Sequence, residues 1–399
     1  MQITEKFLPA LMLQWGRSKS CIRTLTAYAN ERKALIGADK VFDFSLGNPS
    51  IPAPPCVADA IREALELDSV ELHGYTPNNG LLSTRKALAA ELNERYALGL
   101  SADNMFITCG AAPGLCISAK AVLLPGEEVV ICAPYYPDYN VYIPAQGATM
   151  VSVPAREDLQ INLEALPAAL TEKTKAVIIN SPNNPSGVVY DEDNLRGLAE
   201  ILKAHEEKIG RPVFLIADEP YRELAYDGTE VLSPMSFYDD TILCYSFSKS
   251  LSLPGERIGY LAVSPRMQGW STVYAAIAGA ARSMGYVNAP SLLQRVIERC
   301  AGQTADLSEY IQNRSLLCEG LREIGYEFVE PHGAFYLFVK ALEPDAKAFS
   351  EHAKKFELML VPSDDFGVEG YVRIAYCVSA DQIRRSMPAF RALYNDYRQ

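Results

Sequence analysis

The feature that most constrains this chain is an alternation of short β-rich runs with helical patterns through its middle. The β-rich runs span residues 105–108, 129–133, 176–180, 213–217, 242–247 and 258–263. Runs such as 176–179 and 213–216 are apolar on both faces, which is typical of strands covered by helices on both sides. The sequence therefore predicts an α/β fold around a largely parallel central sheet.

The character of the sequence changes after Pro290. A long helical pattern runs to about Arg322, strands are predicted at 334–339 and 371–376, and a last helix begins at Ala380. The helical stretch before Phe42 is too short to fold alone. We expect a large domain over residues 42–290 and a smaller α+β domain built from residues 1–41 and 291–399.

Charge and cysteine usage exclude several classes of function. The 399 residues carry a formal charge of −12 and no Lys/Arg run longer than a pair, which argues against nucleic acid as a partner. The nine cysteines form no CxxC pair, and the four histidines are widely spaced, so neither a disulfide framework nor a catalytic metal is expected. A mature, soluble, cytoplasmic protein without a membrane partner fits this pattern.

Glycine-rich or polar motifs follow several of the predicted strands, at the edge where open parallel sheets bind ligands. In chain order they are I-T-C-G-A-A-P-G at 107–114, A-P-Y-Y-P at 133–137, N-S-P-N-N-P-S-G at 180–187 and A-D-E-P-Y at 217–221. The helix that starts in the first motif offers free N–H groups to a phosphate. Taken singly, the four motifs are more often a strand-to-helix turn, a core tyrosine cluster, an Asn-Pro turn and a helix cap, respectively. Their joint occurrence is what indicates a binding site.

A lysine stands just past the predicted strand 242–247, in the motif S-F-S-K-S, and Arg257 follows it by eight positions. An isolated lysine in a loop is more often solvated. Flanked by two hydroxyls and an arginine, Lys249 is suited to act as an amine nucleophile beside an anion site.

From about residue 20 to its C-terminus the chain resembles the class I/II aminotransferases of pyridoxal-phosphate fold type I, and among them the aspartate and aromatic aminotransferases. The motifs that carry the resemblance are S-x-S-K with its downstream arginine, N-N-P-S-G and D-E-P-Y. The resemblance implies a large domain with a mostly parallel seven-stranded sheet covered by helices. It also implies pyridoxal 5'-phosphate as cofactor, and transfer of the amino group of an acidic or aromatic L-amino acid to a 2-oxo acid such as 2-oxoglutarate.

The resemblance also implies roles for individual residues. Lys249 would bind the cofactor as a Schiff base and act as general base, and Asp218 would keep the pyridine nitrogen protonated. Tyr221 and Asn184 would hold the ring 3′-oxygen, while Tyr136 would stack on the ring where the family often has tryptophan. The phosphate would be bound by a set of backbone and side-chain groups from Gly110, Ala111, Ala112, Ser246, Ser248 and Arg257.

Other expected contacts concern a second subunit and the substrate. Tyr75, in G-Y-T-P-N-N-G, would reach the partner's phosphate, which implies a homodimer with shared active sites. Arg373 would bind the substrate α-carboxylate with its planar fork, and the Gly47 loop would bring a backbone group near the substrate. Arg282 of the opposite subunit would bind a distal carboxylate, with Arg23 as the other cationic candidate. A turn tyrosine, a turn glycine and a surface arginine are the ordinary alternatives for Tyr75, Gly47 and Arg282.

Two other functions compete with amino transfer. A C–S lyase or a cyclopropane-forming synthase of the same fold would share the cofactor site, because the cofactor carries the chemistry that breaks the bond. A cofactor-binding regulatory protein would require an additional DNA-binding module, and it would not need the combination of Lys249, Asp218 and Arg373.

Overall fold

The computed structural model describes residues 5–18 and 20–398. Its strands, numbered in chain order, are β1 Phe42–Asp43, β2 Met105–Thr108, β3 Glu128–Cys132, β4 Thr149–Val153, β5 Thr174–Asn180, β6 Phe214–Asp218, β7 Thr241–Ser246, β8 Gly259–Val263, β9 Tyr336–Lys340, β10 Leu358–Met359, β11 Val361–Pro362 and β12 Tyr371–Ala375.

The α-helices surround these strands on both sides. They are α1 Ala10–Arg17, α2 Cys21–Ile36, α3 Pro55–Leu65, α4 Ser69–His73, α5 Leu82–Tyr96, α6 Ala111–Val122, α7 Tyr139–Tyr142, α8 Leu166–Ala169, α9 Glu192–Ile209, α10 Phe247–Ser250, α11 Trp270–Ser283, α12 Ser291–Arg299, α13 Ser308–Ile324, α14 Ala346–Ala353 and α15 Ala380–Asp396. Their ends follow local chemistry: α9 begins where Asp191 accepts a hydrogen bond from the Asn194 N–H, and it ends at Gly210 with φ +66°.

A seven-stranded sheet with the order β2-β8-β7-β6-β5-β3-β4 forms the centre of the molecule. Strand β8 runs antiparallel to both of its neighbours, β2 and β7, and the remaining pairs are parallel. All residues of β6 and β7 are buried, because apolar side chains cover the sheet on both faces. This arrangement confirms the predicted fold class, and it brings the carboxyl ends of β2, β3, β5, β6 and β7 to one edge.

A second core lies beside this sheet. It is built around the antiparallel sheet β11-β12-β9 and the helices α13 and α15, which pack against each other. The short strand Phe42–Asp43 pairs in parallel with Leu358–Met359, so the chain around residue 42 contacts the C-terminal segment. The division of the chain at residues 42 and 290 stays a prediction.

Two local features differ from the sequence prediction. Strand β4 was not predicted: it is the last strand of the sheet, and only Val153 among its five residues is buried, so it carries no continuous apolar run. The helical pattern after Pro290 is two helices, α12 and α13, and Gly302 between them has φ +74°. Of the helices in the described segments, none has both the length and the apolar character that crossing a membrane requires.

Candidate active site

The ends of three neighbouring strands define one wall of a large cavity. Asn180 ends β5 and lies directly opposite Asp218 at the end of β6, and Ser246 at the end of β7 faces Gly259 at the start of β8. The cavity at this edge has a volume of about 660 Å³. It is lined by these predicted site residues: Gly47, Ala111, Ala112, Tyr136, Asn184, Asp218, Tyr221, Ser246, Ser248, Lys249, Arg257 and Arg373. Twelve predicted residues from widely separated parts of the sequence therefore line one cavity.

Lys249 reaches the cavity from the one-turn helix α10, which begins directly after β7. Its Nζ donates a hydrogen bond of 2.8 Å to the carbonyl oxygen of Gly47, and it lies 5.1 Å from the centre of the Phe335 ring. The pKa of the Lys249 ammonium is lowered to about 8, mainly by burial; Cys377 opposes this shift, and the positive charges of Arg373 and Arg257 contribute to it. At pH 7 about one tenth of this amine is therefore unprotonated, far more than for an ordinary lysine, and the unprotonated amine is the form that a nucleophile requires.

Asp218 is another ionisable group that lines the cavity, and it is fully buried. Its Oδ2 accepts a hydrogen bond of 2.7 Å from the hydroxyl of Tyr139, whereas Oδ1 is buried without a partner in the described residues. Burial raises the pKa of the carboxyl to about 7, the Tyr139 hydrogen bond opposes this, and the Glu219 charge adds to it. A buried oxygen without a donor indicates that a cationic N–H group can be bound here.

Arg373 lies on β12 with only 2% of its surface exposed. Its guanidinium donates to the side-chain oxygen of Asn184 at 3.1 Å and to the carbonyl of Ser45 at 2.6 Å, while Nε has no partner in the described residues. The Tyr336 ring lies 4.5 Å from its Cζ. A buried guanidinium with free N–H groups on a cavity wall fits a carboxylate.

Tyr221 is buried beside this arginine. Its hydroxyl lies 3.0 Å from the hydroxyl of Tyr336, and burial raises its pKa well above the usual tyrosine value. The phenol is therefore a neutral hydrogen-bonding group at neutral pH. Asn184 is positioned by its backbone N–H, which donates to the side chain of Asn180 at 2.7 Å.

The anion end of the cavity is formed by the segments around β7, β8 and α6. The Ser246 and Ser248 hydroxyls are 2.7 Å apart, and Nη1 of Arg257 lies 3.5 Å from the Ser248 oxygen. Gly110, with φ +98°, precedes the first turn of α6, and a Cβ atom there would stand 2.9 Å from the Arg257 guanidinium. Only glycine leaves this space open, so backbone N–H groups, two hydroxyls and a guanidinium can meet one phosphate.

Tyr136 lies on the cavity wall and is half-buried. Its hydroxyl donates to Asp138 at 2.7 Å, and its ring packs edge-on against Tyr139 with centroids 5.7 Å apart. The ring is thus fixed at both ends, as a stacking platform for a planar ligand requires.

Two predicted residues, Tyr75 and Arg282, lie outside the cavity, whereas Arg23 lines it. Tyr75 is fully exposed in the single chain, at 100%, and Arg282 is exposed in the last turn of α11; neither lines the cavity. Arg23, on the first turn of α2, does line it and makes no ion pair with any residue that the structure describes. A single chain therefore leaves the predicted contributions of Tyr75 and Arg282 to a partner subunit untested.

The sequence patterns did not indicate several side chains that line the cavity or contact its residues. Tyr139 stands three positions after Tyr136, in the same aromatic stretch, and this spacing is the signal that could have found it. Tyr336 sits in G-A-F-Y at 333–336, where only its contact with Tyr221 reveals a role. The N-terminal segment also lines the cavity with Trp15, Ser18, Ser20 and Ile22, which no motif indicated.

The donor set fits pyridoxal phosphate. Lys249 has a lowered pKa, which suits bonding to the cofactor's aldehyde, and Asp218 has a buried oxygen without a partner in the described residues, which suits the pyridine nitrogen. The anion pocket that Gly110 leaves open suits the phosphate. Among the residues that the structure describes, no group of three or more His, Cys, Asp or Glu side chains could hold a metal ion.

Comparisons with known proteins agree with this geometry. The family described as aminotransferase class I and II matches residues 39–390. The aspartate aminotransferase of Thermotoga maritima is 30% identical over 378 residues, which are 94% of this chain and 96% of the relative. The probable aspartate/prephenate aminotransferase of Aquifex aeolicus is 31% identical over 385 residues, covering 90% and 92%.

Solved structures are also similar. An amino transferase from Eubacterium rectale superposes with a TM-score of 0.97 at 48% identity, over 98% of this chain and 99% of that one. The aspartate aminotransferase of Thermus thermophilus with maleate gives a TM-score of 0.85 at 26% identity, over 97% and 99%. The fold and the site define a pyridoxal-phosphate enzyme of fold type I. The chain belongs to the class I and II aminotransferases, so it transfers amino groups and uses pyridoxal phosphate.

Proposed function

We propose that this aminotransferase moves the amino group of an acidic or aromatic L-amino acid to a 2-oxo acid such as 2-oxoglutarate, in a cytoplasmic homodimer. The observation that carries the proposal is that Lys249, Asp218 and Arg373 meet in one cavity, with Asp218 and Arg373 buried and Lys249 half-buried, and each has bonding capacity left for a ligand. When bound there, pyridoxal phosphate supplies an electron sink for bonds at the amino-acid Cα.

In this proposal Lys249, Asp218 and Arg373 each have a separate role in binding the cofactor or the substrate. The Lys249 amine would hold the cofactor's aldehyde carbon and would act as the base that moves a proton at the substrate, since burial keeps its pKa near the working pH. The Asp218 carboxylate holds the pyridine N–H with the oxygen that Tyr139 leaves free. Arg373 binds the α-carboxylate, which orients every substrate in the same way.

The remaining residues would hold the cofactor. Its phosphate would be bound by the N–H groups of Gly110 to Ala112 and by Ser246, Ser248 and Arg257, which lie together at the anion end, with Tyr75 of the partner subunit added. Tyr221 and Asn184 would hold the ring oxygen, and Tyr136 would support the ring face. Gly47 contributes its carbonyl close to the amine of Lys249.

An acidic substrate requires a second cation besides Arg373. The aspartate aminotransferase of Thermus thermophilus is described with maleate, a dicarboxylate, and the relatives from Thermotoga and Aquifex have aspartate in their names. We assign the distal carboxylate to Arg282 of the partner subunit, with Arg23 as the alternative within the same chain.

The test is a panel of amino acids added to the holoenzyme, with and without 2-oxoglutarate. Conversion of the cofactor to its amine form by the amino acid alone, and glutamate formation when 2-oxoglutarate is added, are expected. Ammonia with pyruvate instead of glutamate would identify a lyase and overturn the proposal. Sedimentation of the holoenzyme at low concentration checks the dimer.

A further inference from the structure

A second polar cluster lies beneath the two catalytic segments, on the side away from the cavity. It consists of Glu219, Arg222, Tyr245, Ser250 and Tyr260, which we call the buried bridge. Each of the five is at most 3% exposed. Glu219 directly follows Asp218 in the chain, and Ser250 directly follows Lys249.

The bridge starts from the Asp218 side. Nε of Arg222 donates to Oε2 of Glu219 at 2.7 Å, and Nη1 donates to the hydroxyl of Tyr260 at 2.7 Å. The backbone N–H of Glu219 also donates to the carbonyl of Cys244 at 2.8 Å, so the turn after β6 is tied once to β7 and once, through Tyr260, to β8. Two charge-assisted bonds of this length in a buried place are strong and directional.

The bridge continues to the Lys249 side through two paired strands. Tyr260 of β8 and Tyr245 of β7 are direct partners across the sheet, with ring centroids 4.9 Å apart and an angle of 26° between the rings. The Arg222 guanidinium lies 4.5 Å from the centre of the Tyr245 ring. The Tyr245 hydroxyl lies 2.7 Å from the Ser250 oxygen and donates to Glu223 at 2.6 Å.

We propose that the buried bridge is a set of positioning residues that fixes the spacing and orientation of Asp218 and Lys249 across the cofactor. The inference rests on the proposed roles of these two residues. Within the bridge Arg222 and Glu219 form an ion pair, and the side-chain contacts through Tyr245 and Tyr260 add to the backbone pairing of β6 with β7 in connecting the two segments. Because the two catalytic groups hold opposite ends of one rigid ligand, a small change in their spacing costs activity without removing any contact to the substrate.

The test compares Tyr260→Phe and Arg222→Met with Tyr238→Phe in the holoenzyme. Tyr238 is a matched control, since it is also buried and its hydroxyl donates at 2.7 Å to the carbonyl of Val213, beside the start of β6 and away from the site. Loss of one buried hydroxyl is thus common to the two tyrosine variants.

Two quantities are measured: visible circular dichroism of the bound cofactor without substrate, and kcat and KM separately. For Tyr260→Phe we expect an altered visible band and a fall in kcat of roughly tenfold or more with KM within about twofold, because misplacement on the order of 1 Å costs about 10²-fold. Tyr238→Phe should keep the band and kcat even if it lowers the melting temperature. Arg222→Lys should recover more of the band than Arg222→Met.

An unchanged band and kcat in folded Tyr260→Phe, or equal changes in Tyr260→Phe and Tyr238→Phe, would overturn the inference. Should Arg222→Met fail to fold, the tyrosine pair decides alone. The spectroscopic measurement contains no substrate, so it gives its answer even if the amino-acid panel shows no amino transfer. Failure of the proposed function and failure of the bridge are therefore separate outcomes.

Discussion

The hydroxyl of Tyr139 donates a 2.7 Å hydrogen bond to Oδ2 of Asp218, and Oδ1, which is buried, has no partner among the residues that the structure describes. A carboxylate held in this way is costly to ionise unless a cation arrives. The protein thus keeps a destabilising charge at a place where the cofactor's pyridine N–H is expected to bind.

This cost predicts that Asp218→Asn stabilises the apoprotein in a pH-dependent manner. Burial raises the pKa of Asp218 to about 7 from 3.8, so between these values the folded state binds more protons than the unfolded state. The wild-type free energy of unfolding therefore falls as pH rises from about 4 to about 7, by an upper bound of roughly 4 kcal/mol. Urea denaturation of both apoproteins at pH 5 and pH 8 should show a larger gap in favour of Asp218→Asn at pH 8.

The matched comparison is Asp365→Asn, because Asp365 lines the same cavity but is exposed. The difference in the free energy of unfolding between the Asp365→Asn and wild-type apoproteins should be the same at pH 5 and pH 8. Equal behaviour of the two variants would refute the buried-charge explanation. Asp218→Asn should also lose most amino-transfer activity while it keeps its fold.

Lys249→Ala is expected to abolish both turnover and covalent attachment of the cofactor. The amine is the only buried lysine head group lining the cavity among the described residues, and its pKa of about 8 suits it to attack an aldehyde. Borohydride reduction followed by intact-mass measurement should show a cofactor adduct in the wild type and none in the variant. Normal amino transfer by purified Lys249→Ala would contradict the assignment.

Arg373→Lys should raise KM for every amino acid tested. Arg373 is held by Asn184 and Ser45 and presents its remaining N–H groups as a planar fork, which a lysine ammonium cannot reproduce. Since all substrates share the α-carboxylate, a series of acidic, aromatic and aliphatic amino acids should lose affinity together. A loss confined to one class of substrate would show that Arg373 reads the side chain instead.

Sequence patterns located much of this site because its residues lie at the ends of strands, and the ends of parallel strands meet at one edge of the sheet. Asp218 ends the buried strand β6, and Lys249 lies on the one-turn helix that follows the buried strand β7, so their places at the sheet edge could be predicted. Tyr139 and Tyr336 could not, since a buried phenol resembles ordinary core and only its partner reveals it. Strand β4 could not be predicted because its side chains are mostly half-buried or exposed, so it lacks the continuous apolar run of a central strand.

Tyr75 leads to a prediction about the assembly. Its complete exposure in the single chain is what a residue that reaches a neighbouring subunit would show. In a mixture of Lys249→Ala and Tyr75→Phe subunits, hybrid dimers should carry both lesions in one site and keep the other site intact. Activity of the re-equilibrated mixture should exceed the sum of the two parents. No gain would mean that Tyr75 acts within its own subunit or has no role in the site.

The preference for acidic substrates depends on which arginine meets the distal carboxylate. Arg282 is exposed near the end of α11, and Arg23 lines the cavity of its own chain. We predict that Arg282→Leu lowers kcat/KM for aspartate or glutamate by roughly 1.5–3 kcal/mol, the range for hydrogen bonds to charged groups. Aromatic and aliphatic substrates should barely change, because they present no second carboxylate. Arg23→Leu, measured beside it, is the decisive control.

A selective loss in Arg23→Leu alone would move the distal carboxylate to the first turn of α2, where the free N–H groups of a helix start add to the positive charge. Equal losses for acidic and aromatic substrates in Arg282→Leu would point to a general effect on packing. Hybrid dimers separate these cases further. If Arg282 acts across the interface, Arg282→Leu mixed with Lys249→Ala should place both lesions in one site and retain one site with full selectivity for acidic substrates.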